Sequence, residues 1–209
     1  MATTPKGRRL DADERRAQIL ACARELFSRR PYAAVSTAEV ADAAGVARGL
    51  VNHYFGTKRA LYLEVVGELA NPELPALPDP GSHGSLQEAL EAVIDMWLDQ
   101  AEDNRETWLA AIGAGGFGRD PEIELIIDGA REEVAQWILR AIGVGAPVPG
   151  FEELHGIVRA FTGLAEASSV EWLVHGRLSR DQVRALLVSS MLGVLRDVVP
   201  GLLGDRTPS

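Results

Sequence analysis

Apolar residues recur along this chain at the period of an α-helix, and almost no stretch alternates at the period of a β-strand. The first long segment begins near Asp11 and stops at Pro31. Its apolar positions fall on one helical face, at Ile19, Leu20, Ala23, Leu26 and Phe27. The pattern therefore predicts an all-α protein that opens with a long amphipathic helix.

Three further helices are predicted at 37–44, 47–55 and 58–70. Ser36, with Glu39 three residues later, has the pattern of a capping box at the start of the first of them. Gly45 ends that helix, because glycine adopts the left-handed conformation most easily. Gly56 and Thr57 separate the second helix from the third.

Proline and glycine interrupt the chain after residue 70. The segment 71–85 contains Pro72, Pro75, Pro78 and Pro80, so we predict a junction loop there. Later helical patterns lie at 85–103, 105–114, 121–142, 151–175 and 179–199. We divide the chain into an N-terminal domain, 1–56, and a C-terminal domain, 57–209.

Charge is distributed unevenly along the 209 residues, whose net charge is −9. Residues 1–70 carry 11 Lys and Arg against 8 Asp and Glu, whereas the remainder carries 10 against 22. The N-terminal part, which we call the head, is thus mildly basic, and the remainder, which we call the body, is acidic. This distribution suits a protein in which only the first domain contacts nucleic-acid phosphates. The single cysteine excludes an intramolecular disulfide, and no membrane-spanning segment, metal site or cofactor is expected. A cytoplasmic location follows as an expectation.

Two short helices joined by a glycine turn and packed on a longer helix form a helix-turn-helix, whose second helix enters the DNA major groove. Four positions of that second helix are predicted to face outward and read bases: Arg48, Gly49, Asn52 and His53. Three more suit phosphate: Thr37, Tyr54 and Lys58. Thr37 and Lys58 lie at helix N-termini, where free amides favour anions.

The residues ILACARELF, followed by STAEVADAAGVARGLVNHYFGTKRALYLEVV, resemble the DNA-binding domain of the TetR family of bacterial regulators. The resemblance implies an N-terminal three-helix DNA-binding domain and a helical C-terminal domain in an Ω-shaped homodimer. It further implies that the last two helices form the dimer interface and that the middle helices enclose a ligand pocket. The expected partners are a double-stranded DNA operator, a second copy of the chain and a small-molecule effector.

The chain departs from the family pattern within the helix-turn-helix. Pro31 stands where glycine is usual, and Ala47 replaces the usual serine or threonine cap, a change that costs about 1 kcal/mol of helix stability. Leu50 and Asn52 stand where threonine and tyrosine are common. The operator sequence therefore cannot be carried over from relatives.

The C-terminal domain offers two sets of candidate residues. The predicted dimer interface comprises Ala165, Ser168, Ser169, Trp172, Val183, Leu187, Ser190, Met191 and Val194. The predicted pocket comprises Met96, Trp97, Trp108, Ile112, Phe117, Trp137 and Phe161. Both patterns also fit an ordinary intramolecular core, and that alternative stays open.

Other motifs are weaker. Gly113 to Gly118 satisfies a dinucleotide-binding fingerprint, but no strand precedes it, so we interpret it as a helix-breaking loop. Glu152 and His155 have di-iron ligand spacing without a second such pair. The sequence thus favours a ligand-responsive repressor that is not an enzyme and is released from a palindromic operator by a small apolar or aromatic molecule. The alternatives are a helical small-molecule-binding or enzymatic dimer with a vestigial DNA-binding head, and a protein-interaction scaffold.

Overall fold

The structure, a computed structural model, describes residues 11–71, 74, 86–113, 120–142, 144 and 150–203. Regular secondary structure in these ranges is entirely helical, which confirms the predicted all-α class. The α-helices are α1 (Ala12–Arg29), α2 (Thr37–Ala43), α3 (Arg48–Phe55), α4 (Lys58–Ala70), α5 (Leu86–Asp103), α6 (Arg105–Ala111), α7 (Pro121–Ala141), α8 (Phe151–Leu173), α9 (Arg180–Asp197) and α10 (Val199–Leu203). A 3₁₀ turn at Tyr32–Ala34 follows α1.

Local sequence signals set the ends of the first helices. The Ser36 hydroxyl accepts the backbone N–H of Glu39, and the Glu39 carboxylate accepts that of Ser36, so the predicted capping box is confirmed. Gly45 has a φ of 63°, and Val46 N–H donates to the Ala41 carbonyl at 2.9 Å. This Schellman arrangement ends α2 and turns the chain into α3.

The α4 helix shares one hydrophobic cluster with α1, α2 and α3. Leu61, Val65 and Val66 of α4 are fully buried in it, and Ile123 and Ile127 of α7 join it from the C-terminal half. The core of the three-helix motif therefore includes side chains of α4, which begins after residue 56. The same helix contacts α6 and α7, so it connects the head to the body.

The body is formed around α5, α7, α8 and α9, whose buried residues make a second cluster. The α10 helix, which the sequence analysis did not predict, packs on α8 and α9. Gly150 immediately precedes α8 and approaches the backbone of Leu202 in α10. This contact closes one end of the helical body.

Several predicted features lie outside the described residues. They are the basic arm 1–10, the junction 72–85 apart from Leu74, the glycine-rich segment 114–119 and the pocket candidate Phe117.

The segment Arg180–Leu202 is long and apolar enough to cross a membrane, although the sequence analysis expected no such segment. Two of its arginines pair with acidic side chains of α5: Arg184 with Glu91 and Asp95, and Arg180 with Asp99. These ion pairs and the contacts of α9 with α5 and α8 pack the segment, which comprises α9 and most of α10, against the body. Only 17% of its most apolar window is buried, so it also presents a largely apolar outer face.

Candidate nucleic-acid interface and internal cavity

The third helix has one buried face and one exposed face. Val51 and Phe55 point into the core of the head, with 1% and 5% of their surface exposed. On the opposite face the predicted base-reading residues are all exposed to solvent: Arg48, Gly49, Asn52 and His53. Ala47, directly before α3, provides no side-chain cap, as the sequence predicted. The structure thus brings the four candidates together on a single surface.

Two contacts that the sequence analysis missed hold α3 against its neighbours. The guanidinium of Arg16 in α1 lies 4.7 Å from the centroid of the Phe55 ring, at the end of α3. The same guanidinium pairs with Glu64 of α4. Arg16 therefore ties together the three helices that fix the orientation of the exposed face. The sequence shows that residue 16 is a positively charged arginine, but it does not show which residues this arginine contacts.

The predicted phosphate-binding residues border this face. Thr37 is the first residue of α2 and Tyr54 lies near the end of α3, and both are half-buried. The Lys58 ammonium lies 4.1 Å from the centroid of the Tyr32 ring and donates a hydrogen bond to the Tyr32 carbonyl. An ammonium carries three donors, so Lys58 retains donors for a phosphate while Tyr32 holds it in place.

Tyr32 belongs to an aromatic cluster beneath Lys58. Its ring lies 4.8 Å from that of Tyr62, and the Tyr62 ring lies 4.9 Å from that of Phe27. Burial raises the pKa of Tyr62 to about 12, so its hydroxyl stays neutral. Pro31, which stands where glycine is usual, follows the end of α1 and directly precedes Tyr32 of this cluster. The 3₁₀ turn that begins at Tyr32 accommodates the proline at this position.

An apolar cavity of about 110 Å³ lies between the end of α4 and helices α5 to α9. Four of the predicted pocket residues line it: Met96, Trp97, Trp108 and Phe161. Ile112 and Trp137 are not among the residues that line this cavity, so their assignment to a pocket stays a prediction. Ile112 packs in a small cluster with Leu69 and Trp108, and Trp137 is 4% exposed within the core of the body.

Five predicted interface residues are buried inside the subunit instead. These are Ser168, Ser169, Val183, Leu187 and Met191, none more than 4% exposed. Ser169 accepts a hydrogen bond from the Trp108 indole at 2.9 Å, and Leu187 reaches the cavity wall. The interface prediction is wrong for these side chains, because they have no surface left for a partner. Ala165 also lines the cavity, whereas Trp172, Ser190 and Val194 remain partly exposed.

One ion pair contributes the charged part of the cavity wall. The Arg131 guanidinium donates from Nε to one oxygen of Glu166 at 2.7 Å and from Nη2 to the other at 2.9 Å. Its Nη1 donates to Glu124 at 2.9 Å. The hydrogen bonds with Glu166 raise the pKa of Arg131, so the guanidinium stays charged. Sequence periodicity could not identify this pair, since Arg131 and Glu166 lie on different helices.

A second ion pair joins the head to the body. Arg59 in the first turn of α4 donates to both carboxylate oxygens of Asp120, at 2.8 and 2.9 Å, and also bonds Glu122. Hydrogen bonds from Arg59 lower the pKa of Asp120 to about 2, so this carboxylate is ionised at neutral pH. Asp120 is also the N-cap of α7, because it accepts the backbone N–H of Glu122. Arg59 thus fixes the start of α4 to the start of α7.

Family models match both halves of the chain. The model described as bacterial regulatory proteins of the TetR family matches residues 19–65, which include the exposed face of α3. The model described as the C-terminal domain of tetracyclin repressor-like proteins matches residues 86–194, which include most of the cavity wall.

Individual regulatory proteins are also similar to this chain. The transcriptional activator FasR of Mycolicibacterium smegmatis is 44% identical over 61 residues, which are 29% of this chain and 28% of that protein. The transcriptional repressor AcnR of Corynebacterium jeikeium is 29% identical over 103 residues, 48% of this chain and 54% of that protein. The chain therefore spans about half or less of the curated relatives it matches. The crystal structure of a TetR-family regulator from Streptomyces coelicolor superposes with a TM-score of 0.75 at 28% identity, covering 93% of this chain and 88% of the other.

Proposed function

Because the chain belongs to the TetR family of bacterial regulatory proteins, we propose that it is a repressor that binds a palindromic DNA operator as a homodimer and is released by a small apolar or aromatic molecule. Members of this family are transcriptional regulators and not enzymes. The observation that carries the proposal is the exposed face of α3, which is polar and lies opposite a buried apolar face. The site of action is the cytoplasm, where the operator is.

Base reading falls to two side chains of that face. The Arg48 guanidinium can donate two parallel hydrogen bonds to guanine, and the Asn52 amide can donate to and accept from adenine. They lie four residues apart and are both exposed, so they occupy neighbouring positions on one side of the helix. Gly49 lies between them and has no heavy atom within 4 Å of where a Cβ would be, so the backbone there can approach the DNA closely.

The outer surface of the last helices supports the proposed dimer. Val174, Leu186 and Val198 expose 46%, 39% and 38% of their surface on or beside α8 and α9. Together with the partly exposed Trp172, Ser190 and Val194, they provide an apolar surface that a second copy would cover. Two recognition helices about 34 Å apart would then read successive turns of the major groove, so the operator is expected to be palindromic.

A gel-shift titration at several salt concentrations, with duplexes from the DNA flanking the gene, tests DNA binding directly. We expect specific, salt-sensitive binding, and we expect Lys58→Ala to weaken it and to reduce the salt slope by about one. The reason is that Lys58 is placed at the edge of the face by Tyr32, where it would replace one counterion on a phosphate.

Lys58→Arg is the matched control, since it keeps the charge and should keep the salt slope. Equal slopes for Lys58→Ala and the unaltered protein would contradict the phosphate role of this residue. Absence of any sequence-preferring complex would contradict the proposed function and favour a helical small-molecule-binding or enzymatic dimer with a vestigial head.

The cavity can influence the head because both contact α4. Leu69 and Ala70 at the end of α4 line the cavity, while Arg59 at its start is fixed to Asp120. A molecule that enlarges the cavity would displace the end of α4, and the helix would transmit this displacement to α1 and α3 in the shared core. The size of the response is set by the difference in affinity of the molecule for the two conformations.

Asp120→Asn is expected to weaken this transmission. The substitution removes one of the two carboxylate charges that hold Arg59, the other being that of Glu122, but asparagine can still cap α7. With benzyl alcohol as a single-ring probe, we expect its binding to the protein to be unchanged and its effect on operator affinity to fall by at least about twofold. Calorimetry measures the first quantity and gel shift the second. Asp197→Asn, which removes an exposed ion pair with Arg196, is the control and should leave both unchanged.

A further inference from the structure

The dimensions of the cavity limit the size of its ligand. Its volume of about 110 Å³ is smaller than the ~150 Å³ of an engineered apolar cavity that stays dry and binds benzene, so about one ring fills it. Trp97 and Trp108 meet edge to face in its wall, with ring centroids 5.5 Å apart. The Trp108 indole N–H is already donated to Ser169, so this ring offers the cavity an apolar surface. A single substituted aromatic ring fits such a space.

The charged groups of the wall limit the charge of the ligand. Among the described residues that line the cavity, Arg131 is the only cation and Glu166 the only acid, and they pair with each other. Their side chains are 14% and 11% exposed, so an ion that separated them would leave one buried charge without its partner. Because Glu124 binds the same guanidinium, no positive charge is in excess for an anionic ligand. A cationic ligand would have to share Glu166 with Arg131.

The polar end of the cavity favours a hydrogen-bond donor. The Thr162 hydroxyl donates to the carbonyl of Arg159 at 2.7 Å, so it presents its lone pairs to other groups. Thr162 and Glu166 are one helical turn apart on α8 and both line the cavity. Together they provide oxygen acceptors in a mostly apolar lining, whose other polar side chains among the described residues are Gln100 and Arg131.

We infer that the effector is an uncharged molecule the size of one substituted aromatic ring, with a hydroxyl or N–H group that donates to the Thr162 hydroxyl beside Glu166. This inference rests on the proposed function, because it assigns a chemical class to the molecule that releases the repressor. It places the ring among Trp97, Trp108 and Phe161 and the polar group against α8. It excludes simple aromatic acids and amines in their charged forms.

Four probes of matched shape test the inference on the full-length protein without DNA: benzyl alcohol, toluene, benzoate and benzylamine. Calorimetry and the fluorescence of the cavity tryptophans report binding. We expect benzyl alcohol to bind at least about tenfold more tightly than benzoate or benzylamine, and more tightly than toluene. Benzoate or benzylamine binding as tightly as benzyl alcohol, or no binding of benzyl alcohol, would overturn the inference.

Two variants locate the polar group. Thr162→Val keeps the shape of the wall and should reduce the affinity for benzyl alcohol to that for toluene. Glu166→Gln removes one of the two carboxylate charges that pair with Arg131 and should raise the affinity for benzoate relative to benzyl alcohol by about tenfold. Glu132→Gln, which alters a carboxylate paired with Arg159 away from the cavity lining, should leave every probe unaffected. If Glu166→Gln fails to fold, an unchanged probe ranking in Thr162→Val is sufficient to overturn the assignment.

Measuring both probe binding and operator affinity distinguishes a failure of this inference from a failure of the proposed function. Selective binding of benzyl alcohol without any change in operator affinity would support the assigned class and contradict the sensor role. Release of the operator by benzoate but not by benzyl alcohol would support the sensor role and overturn the assigned class.

Discussion

Replacing both Arg48 and Asn52 by alanine is expected to reduce specific operator affinity by about 4 kcal/mol, roughly a thousandfold. Each side chain can form a bidentate pair with one base, and each such pair discriminates by about 1–3 kcal/mol. Both residues are exposed on α3, so their removal leaves the buried contacts of Val51 and Phe55 intact. The variant should therefore remain folded and should bind all duplexes alike. Competition gel shifts with operator and unrelated DNA measure the loss.

Arg177→Ala is the matched control for this experiment. Arg177 follows α8, and its side chain is 69% exposed and paired with Glu171, so the same chemical change is made far from α3 in sequence. We expect it to retain operator affinity. If the double variant still preferred its operator, α3 would not be the reading helix, and the proposed geometry would be wrong. Circular dichroism of both variants verifies that the helical content is unchanged.

The sequence predicted the head well because its signals are local. A capping box needs only Ser36 and Glu39, and the end of α2 needs only a residue such as Gly45 that adopts a positive φ. The exposed face of α3 was predicted from helical spacing, since Val51 falls on the inner side of this short helix and leaves the base-reading candidates on the outer side. Each of these signals acts within a few residues, so no knowledge of distant contacts was required.

The dimer interface was predicted less well than the head. A helix face buried inside the subunit and a helix face at a dimer interface both appear in the sequence as a stripe of apolar residues. Val183, Leu187 and Met191 form an apolar stripe along α9, and the structure buries that stripe within the subunit. Leu186 and Val198 lie on another side of the helical segment and remain exposed. A helix with an inner and an outer apolar face has no single hydrophobic stripe, so periodicity cannot separate core from interface.

The ion pairs that organise the site were also inaccessible to sequence reasoning. Asp120 and Pro121 indicate a helix start, and Asp120 does cap α7, but nothing local links it to Arg59, 61 residues earlier. Arg131 and Glu166 are 35 residues apart and meet only because α7 packs on α8. Such pairs depend on helix packing, which the hydrophobic pattern constrains only loosely.

Gly150→Ala is expected to destabilise the body by about 3 kcal/mol, which for a chain of this length lowers Tm by about 6–12 °C. Gly150 has a φ of 78°, a conformation that alanine adopts only with strain. An added Cβ would also lie 2.9 Å from the carbonyl carbon of Leu202 and closer still to its oxygen. Because these are backbone atoms, the contact can be relieved only by moving α10 or the start of α8.

Gly176→Ala separates the two causes. Gly176 has a similar φ of 61°, but no atom lies within 4 Å of where its Cβ would be. The substitution therefore introduces the backbone strain without the overlap, and we expect a loss of about 1 kcal/mol. Thermal denaturation at equal protein concentration compares the two variants, because dimerisation makes Tm depend on concentration. Equal losses at the two positions would mean that α10 does not contribute to stability through this contact, whereas a larger loss at Gly150 would identify α10 as the element that closes the end of the ligand-binding body.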